Sequence, residues 1–205
     1  MDLSATIHLF GELLGAAISE LESPALFEAE EHIRTLAKAR RSGDDAAAHQ
    51  LADEVASLAP DAARAIAAAF TLYFDLVNLA EEDSRVQALR LREREQYPEP
   101  TGGSIAEAIT LLKQRGVTAN QLSALLHDLK IELVLTAHPT EAKRRTILSK
   151  LQRITETLRV LQVTDPLPRE REMILASLRT EVTALWLTDR ARTARLAVTD
   201  EVRTG

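Results

Sequence analysis

His138 is the residue in this sequence best placed to do chemistry. It stands in Thr136-Ala137-His138-Pro139-Thr140, between the apolar run Ile131-Glu132-Leu133-Val134-Leu135 and the basic triplet Lys143-Arg144-Arg145. An imidazole can move a proton near neutral pH. A turn between a strand end and a helix start is also where strand–helix folds expose their reactive groups. Pro139 stiffens the turn, and Thr140 can cap a following helix that carries Glu141 in its first turn. A second role for His138, holding its own loop by hydrogen bonds, stays equally open at this level.

The triplet invites a second chemical reading. Cations near a helix N-terminus oppose the macrodipole, at about 0.3–1 kcal/mol each when exposed. An anion would relieve that cost, so free N–H groups together with Lys143, Arg144 and Arg145 would seat a phosphate or a carboxylate. The alternative is that these side chains reach solvent or pair with Glu141 and other acids. The remaining histidines, His8, His32, His49 and His127, show no metal-ligand spacing and are read as structural.

These groups must be positioned by the elements around them. Ile131–Thr136 reads as a strand with both faces apolar, the pattern of a strand buried in a parallel sheet. Its backbone groups need partners once buried, and no second segment of like character occurs in the sequence. The rest reads as helix. Leu3, Ile7, Phe10, Leu14, Ala17 and Leu21 share one helical face, and Pro24 ends that helix or opens the next. A second helix is expected over Ala25–Ala39 and a third over Asp45–Leu58, with Ser42-Gly43-Asp44 as the turn between them. Pro60 can open a long fourth helix reaching about Arg94, with two apolar stripes and, past Glu81, a solvated charged face that includes Asp83. Asn78 within it is expected to be a buried, hydrogen-bonded amide.

Tyr97–Gly103 is the clearest loop. Ser104/Glu107 and Thr118/Gln121 each spell a capping box opening a short helix. Ile147, Leu151, Ile154, Leu158 and Leu161 mark the most amphipathic helix, stopped by Asp165-Pro166-Leu167-Pro168, and a last helix is expected from about Arg169. The organisation expected is therefore a helical region over 1–96, a loop over 97–103, and helices with one strand (131–136) over 104–205.

Composition bounds the partners. The chain has 205 residues, 45% of them hydrophobic and 27% charged, and a net charge of -6, which suits a globular protein and makes nucleic acid an unfavourable partner. Cysteine is absent, excluding thiol chemistry and disulfides. The N-terminus lacks a signal-peptide pattern and no apolar run approaches about 18 residues, so the expectation is a cytoplasmic protein with no membrane partner.

Val134-Leu135-Thr136-Ala137-His138-Pro139-Thr140-Glu141-Ala142-Lys143-Arg144-Arg145 resembles the first signature of the phosphoenolpyruvate carboxylase family, V-x-T-A-H-P-T-E-x-x-R-R, at every fixed position. Tyr73-Phe74-Asp75-Leu76-Val77-Asn78-Leu79-Ala80-Glu81 is similar to the family's Y-F-x-L-x-N-x-A-E helix. Trp186-Leu187-Thr188-Asp189, followed by Arg192, Arg195, Asp200 and Glu201, resembles the stretch after the first barrel helix. There the chain departs from the family, with Leu196-Ala197-Val198 in place of a proline-rich turn and Arg190-Ala191 in place of an acidic-apolar pair.

The resemblance implies a mostly α chain: a helical N-terminal part plus the first strand and helices of a (β/α)8 barrel, truncated, with Ile131–Thr136 as barrel strand one. It implies a lyase that joins bicarbonate to phosphoenolpyruvate, giving oxaloacetate and phosphate by way of carboxyphosphate and an enolate. His138 matches the family histidine that assists breakdown of carboxyphosphate and carboxylation, and Arg144 and Arg145 match the signature as candidate substrate-binding residues. It further implies Mg2+ or Mn2+ with ligands beyond residue 205, none in this portion, and a homo-oligomer, commonly a tetramer. On this view the chain is an N-terminal fragment, inactive by itself. The competing expectation is a stand-alone helical interaction or anion-binding module without catalysis.

Overall fold

The computed structural model describes residues 1–132, 143–163, 166–189 and Thr199. Eight helices are found among them: α1 (Leu3–Leu21), α2 (Pro24–Arg41), α3 (Asp45–Ser57), α4 (Pro60–Gln96), α5 (Ile105–Gln114), α6 (Ala119–Asp128), α7 (Arg145–Val163) and α8 (Pro168–Trp186). No strand occurs among the described residues. Ile131 and Glu132, the first two positions of the expected strand, are irregular, and the remainder of that strand lies outside the described residues.

Local chemistry sets most helix ends. Asp2, Ser23 and Asp44 each accept a hydrogen bond from a backbone N–H of the first turn of α1, α2 and α3, satisfying one of the orphan donors there. Pro24 and Pro168 stand at helix starts, where a missing N–H costs nothing. Lys38, Arg40 and Arg41 complement the negative end of α2, which stops at Gly43, whose φ of +91 suits glycine. Thr118 and Gln121 complete a capping box on α6. On α5 the device is shifted by one residue: Ser104 accepts from the Glu107 N–H, but the Glu107 carboxylate accepts from Gly103 instead.

Contacts gather the chain into two compact units, Met1–Glu82 with Lys143–Arg195, and Asp83–Ala142 with Leu196–Gly205. The core of the first is a four-helix cluster. Phe10, Leu14 and Ile18 of α1 meet Leu72, Leu76 and Leu79 of α4, Ile154 and Leu158 of α7, and Leu178, Val182 and Leu185 of α8. Each such side chain contributes about 1.5–3 kcal/mol on burial. The heptad-like spacing Ile147, Ile154, Leu158 is what turns one face of α7 into this core. Arg153 of α7 also makes a two-pronged pair with Glu181 of α8, at 2.7 and 3.0 Å. That pair holds the Glu181 carboxyl below its ordinary range. α2 packs between α1 and α3.

α4 corrects three expectations. Asn78 is exposed, not buried, because it shares a face with Ala67, Thr71, Phe74 and Glu81, all of which are exposed as well. Phe74 is 56% exposed on that face, so α4 offers one fully buried stripe with a half-buried shoulder (Phe70, Tyr73, Val77), not two covered sides. Asp83 is only 2% exposed, since it continues the Leu72, Leu76, Leu79 stripe by one more turn. By length and composition α4 could cross a membrane, yet its most apolar face is used in the helical core.

In the second unit α5 and α6 bury no residue, and Ile105, Leu111, Leu125, Leu126 and Leu129 are exposed.

Candidate active site

The described part of the candidate site is the entry to α7. The Arg144 carbonyl accepts the N–H groups of Ile147 at 2.9 Å and Leu148 at 3.1 Å, which makes Arg144 the cap and Arg145 the first helical residue. The helix thus starts later than the sequence suggested. Lys143 and Arg144 precede it, and only Arg145 lies in its first turn, where there is no acid. His138, with Thr140 and Glu141, lies outside the described residues.

Lys143 is held across the fold. Its Nζ donates to Asp75 Oδ1 of α4 at 2.7 Å, a pair separated by 68 residues in sequence, and the Asp75 side chain is 10% exposed. Asp75 reaches that place because its neighbours Leu72 and Leu76 turn this face of α4 inward. A carboxylate so nearly buried needs a compensating charge, and Lys143 brings one. Of the three cations read as an anion seat, one is therefore used inside the protein. Arg144 is half-buried and Arg145 is exposed. Sequence reasoning missed Asp75; the signal available was a lone acid inside the apolar stripe of α4.

The remaining histidines sit on helix surfaces. His8 faces Glu12 one turn on at 3.1 Å, with both side chains largely exposed, and His32, His49 and His127 are exposed. No group of three or more His, Asp or Glu side chains among the described residues could hold a metal ion.

A second polar cluster had no role in the sequence reading. Glu30 of α2 is 8% exposed, and burial, reinforced by the neighbouring Glu31 charge and opposed by Arg34, raises its pKa to about 6. Glu31 takes both prongs of the Arg34 guanidinium, at 2.8 and 2.7 Å, which holds its carboxyl below the ordinary range. These three residues line a cavity of about 370 Å³ between α1, α2 and α4, with Phe27 and Tyr73. A larger cavity, about 520 Å³, lies between α2, α3 and α4, apolar inside (Ile33, Leu51, Phe70) with Arg34, Lys38, Arg40 and Arg41 among its lining residues. Neither cavity includes Asp75, Lys143, Arg144 or Arg145.

Comparison with known proteins places the chain in a family of carboxylases. The sequence profile described as phosphoenolpyruvate carboxylase matches residues 3–205, so the chain belongs to the phosphoenolpyruvate carboxylase family. Among curated relatives, the phosphoenolpyruvate carboxylase of Thermus sp. (strain 71) is 40% identical over 207 residues, 99% of this chain and 22% of that protein. The enzymes of the same name from Thermus thermophilus and Roseiflexus castenholzii are 42% and 41% identical, again over 99% of this chain and 22% of each relative. The chain therefore spans about a fifth of the length of the curated relatives it matches.

Proposed function

We propose that these residues form the N-terminal part of a phosphoenolpyruvate carboxylase, which joins bicarbonate to phosphoenolpyruvate and releases oxaloacetate and phosphate. The observation that carries this reading is the complete V-x-T-A-H-P-T-E-x-x-R-R signature over Val134–Arg145, in a chain matched to the family from residue 3 to residue 205.

In this reading bicarbonate oxygen attacks the phosphoryl group. The bond between phosphorus and the enol oxygen breaks, and carboxyphosphate and an enolate result. Carboxyphosphate then loses phosphate to give carbon dioxide, and the enolate carbon attacks it to form the new C–C bond. His138 is the residue of this chain proposed to carry a proton on or off carboxyphosphate, a step that suits an imidazole near neutral pH. Arg144 and Arg145 are the candidate partners for substrate phosphate or carboxylate oxygens, for which a planar guanidinium offers paired donors. Lys143 drops out of that role, because Asp75 holds its ammonium.

The family's divalent metal, Mg2+ or Mn2+, does not fit the described residues, which bring no set of acidic and histidine ligands together. Its ligands are proposed to lie beyond residue 205. Placement of Ile131–Thr136 as the first strand of a (β/α)8 barrel, cytoplasmic location and assembly as a homotetramer belong to the same proposal.

A coupled assay for oxaloacetate tests it. The full-length enzyme carrying these residues should turn over phosphoenolpyruvate only with bicarbonate, while the 205 residues alone should form none. Bicarbonate-dependent turnover by the 205 residues would contradict the division of labour, and a full-length protein without turnover would contradict the reaction.

A further inference from the structure

Asp75 and Lys143 form a long-range contact that ties α4 to the segment just after the histidine motif, and neither residue has a place in the proposed reaction. We infer that Asp75 is a positioning residue: through Lys143 it fixes the backbone from which Arg144 and Arg145 are presented to substrate. The inference rests on the carboxylase reading and adds to it a residue that the reading itself does not require.

Two observations carry it. The contact is short, 2.7 Å from Nζ to Oδ1, and the Asp75 side chain is nine-tenths buried, so the pair is not one of the solvated surface bridges that hold nothing in place. Lys143 stands outside regular helix, immediately before the residue whose carbonyl caps α7. A residue there has no intrahelical ladder to hold it, and its side chain supplies the hold instead.

Asp75 itself is well braced. The Leu72 and Leu76 side chains on either side of it are fully buried in the four-helix core, so the carboxylate is presented from a rigid helix. Rigid presentation matters because a displacement of about 1 Å at reacting groups can cost on the order of a hundredfold in rate. Both residues also fall at positions that the two family patterns leave open, Asp75 in Y-F-x-L-x-N-x-A-E and Lys143 in T-E-x-x-R-R. The pair is thus a device of this sequence and of relatives that carry both residues.

The test is steady-state kinetics on the full-length enzyme carrying these residues, with Asp75→Asn, Lys143→Met, the double variant and Lys143→Arg. Rates are expressed per folded subunit, and thermal unfolding is followed in parallel. The positioning role predicts that each of the first two variants loses at least about tenfold in kcat/KM per folded subunit, a loss larger than any fall in the unfolding midpoint from the unpaired group accounts for. The double variant should be no worse than either single one, and Lys143→Arg should stay within about threefold of the parent. Unchanged kcat/KM in Asp75→Asn and Lys143→Met, losses that multiply in the double variant, or losses that merely follow the unfolded fraction would each overturn it. Lys143→Met changes a side chain that is 39% exposed, so the test survives if Asp75→Asn does not fold. A parent that forms no oxaloacetate removes the reaction and this inference with it. An active parent indifferent to both substitutions overturns the positioning role alone.

Discussion

Glu30 has its proton equilibrium displaced far from the ordinary carboxylate value, its pKa raised from 4.5 to about 6 by burial in α2 and by Glu31 beside it. A carboxyl whose folded value is raised binds its proton more tightly folded than unfolded. Stability contributed by Glu30 therefore falls as pH rises from 4.5 towards about 6 and is level above that. The shift corresponds to about 2 kcal/mol at neutral pH. Glu30→Gln removes the charge and its penalty, so urea unfolding of the 205-residue chain should show a gain of about 1–2 kcal/mol near pH 7.5 and almost none near pH 4. An equal gain at both pH values would show that the burial of charge is not the cause. Glu181 behaves in the opposite sense: its carboxyl is held low by Arg153 of α7, so its contribution is present above the ordinary carboxylate range and is lost as pH falls through it. Neither acid belongs to the proposed chemistry, which at this scale rests on His138, Arg144 and Arg145.

At the scale of elements, α1 carries two glycines whose surroundings differ. A Cβ on Gly15 would stand 2.6 Å from the Phe27 ring of α2, whereas a Cβ on Gly11 meets nothing within 4 Å. Glycine inside a helix costs about 0.5–1 kcal/mol relative to alanine, so it is kept at Gly15 by the close approach of α2 and at Gly11 by nothing in the described structure. Gly15→Ala should destabilise the chain by about 1–3 kcal/mol through overpacking, and Gly11→Ala should stabilise it by about 0.5–1 kcal/mol. Thermal unfolding of the two variants side by side checks both signs, and two stabilising substitutions would mean that Phe27 yields at no cost. The helices themselves were legible in the sequence, because Pro24, Pro60, Ser104, Thr118 and the spacing Ile147, Ile154, Leu158 act locally. What could not be read was non-local. Nothing near Lys143 in sequence announces Asp75, 68 residues away, so Lys143 looked like one more cation for an anion seat. Asn78 and Asp83 were misread for a related reason: helix burial follows the face on which a residue falls, and the apolar or charged character of its neighbours in sequence pointed the other way.

At the scale of the whole molecule, the family was legible from the signature over Val134–Arg145, and the profile match over residues 3–205 agrees with it. The expected barrel strand beyond Glu132 and the histidine turn lie outside the described residues, so the site is described from its α7 side. The chain covers 22% of the Thermus relatives, and α5, α6 and the residue after α6 carry the exposed apolar side chains Ile105, Leu125, Leu126 and Leu129. Apolar surface of this kind drives association when nothing covers it. The 205 residues alone should accordingly self-associate in sedimentation or light-scattering experiments, and a monodisperse monomer at every concentration would contradict that expectation. The central claim, that this sequence supplies the reacting histidine of a phosphoenolpyruvate carboxylase, is tested most directly by one measurement. That measurement is oxaloacetate formation from phosphoenolpyruvate and bicarbonate by the full-length enzyme, with and without His138→Asn. The account predicts turnover by the parent and a loss of oxaloacetate formation of at least about a hundredfold in the variant, in line with the 10²–10⁴-fold contribution of a positioned acid–base group. A His138→Asn enzyme that makes oxaloacetate at the parent's rate would contradict it.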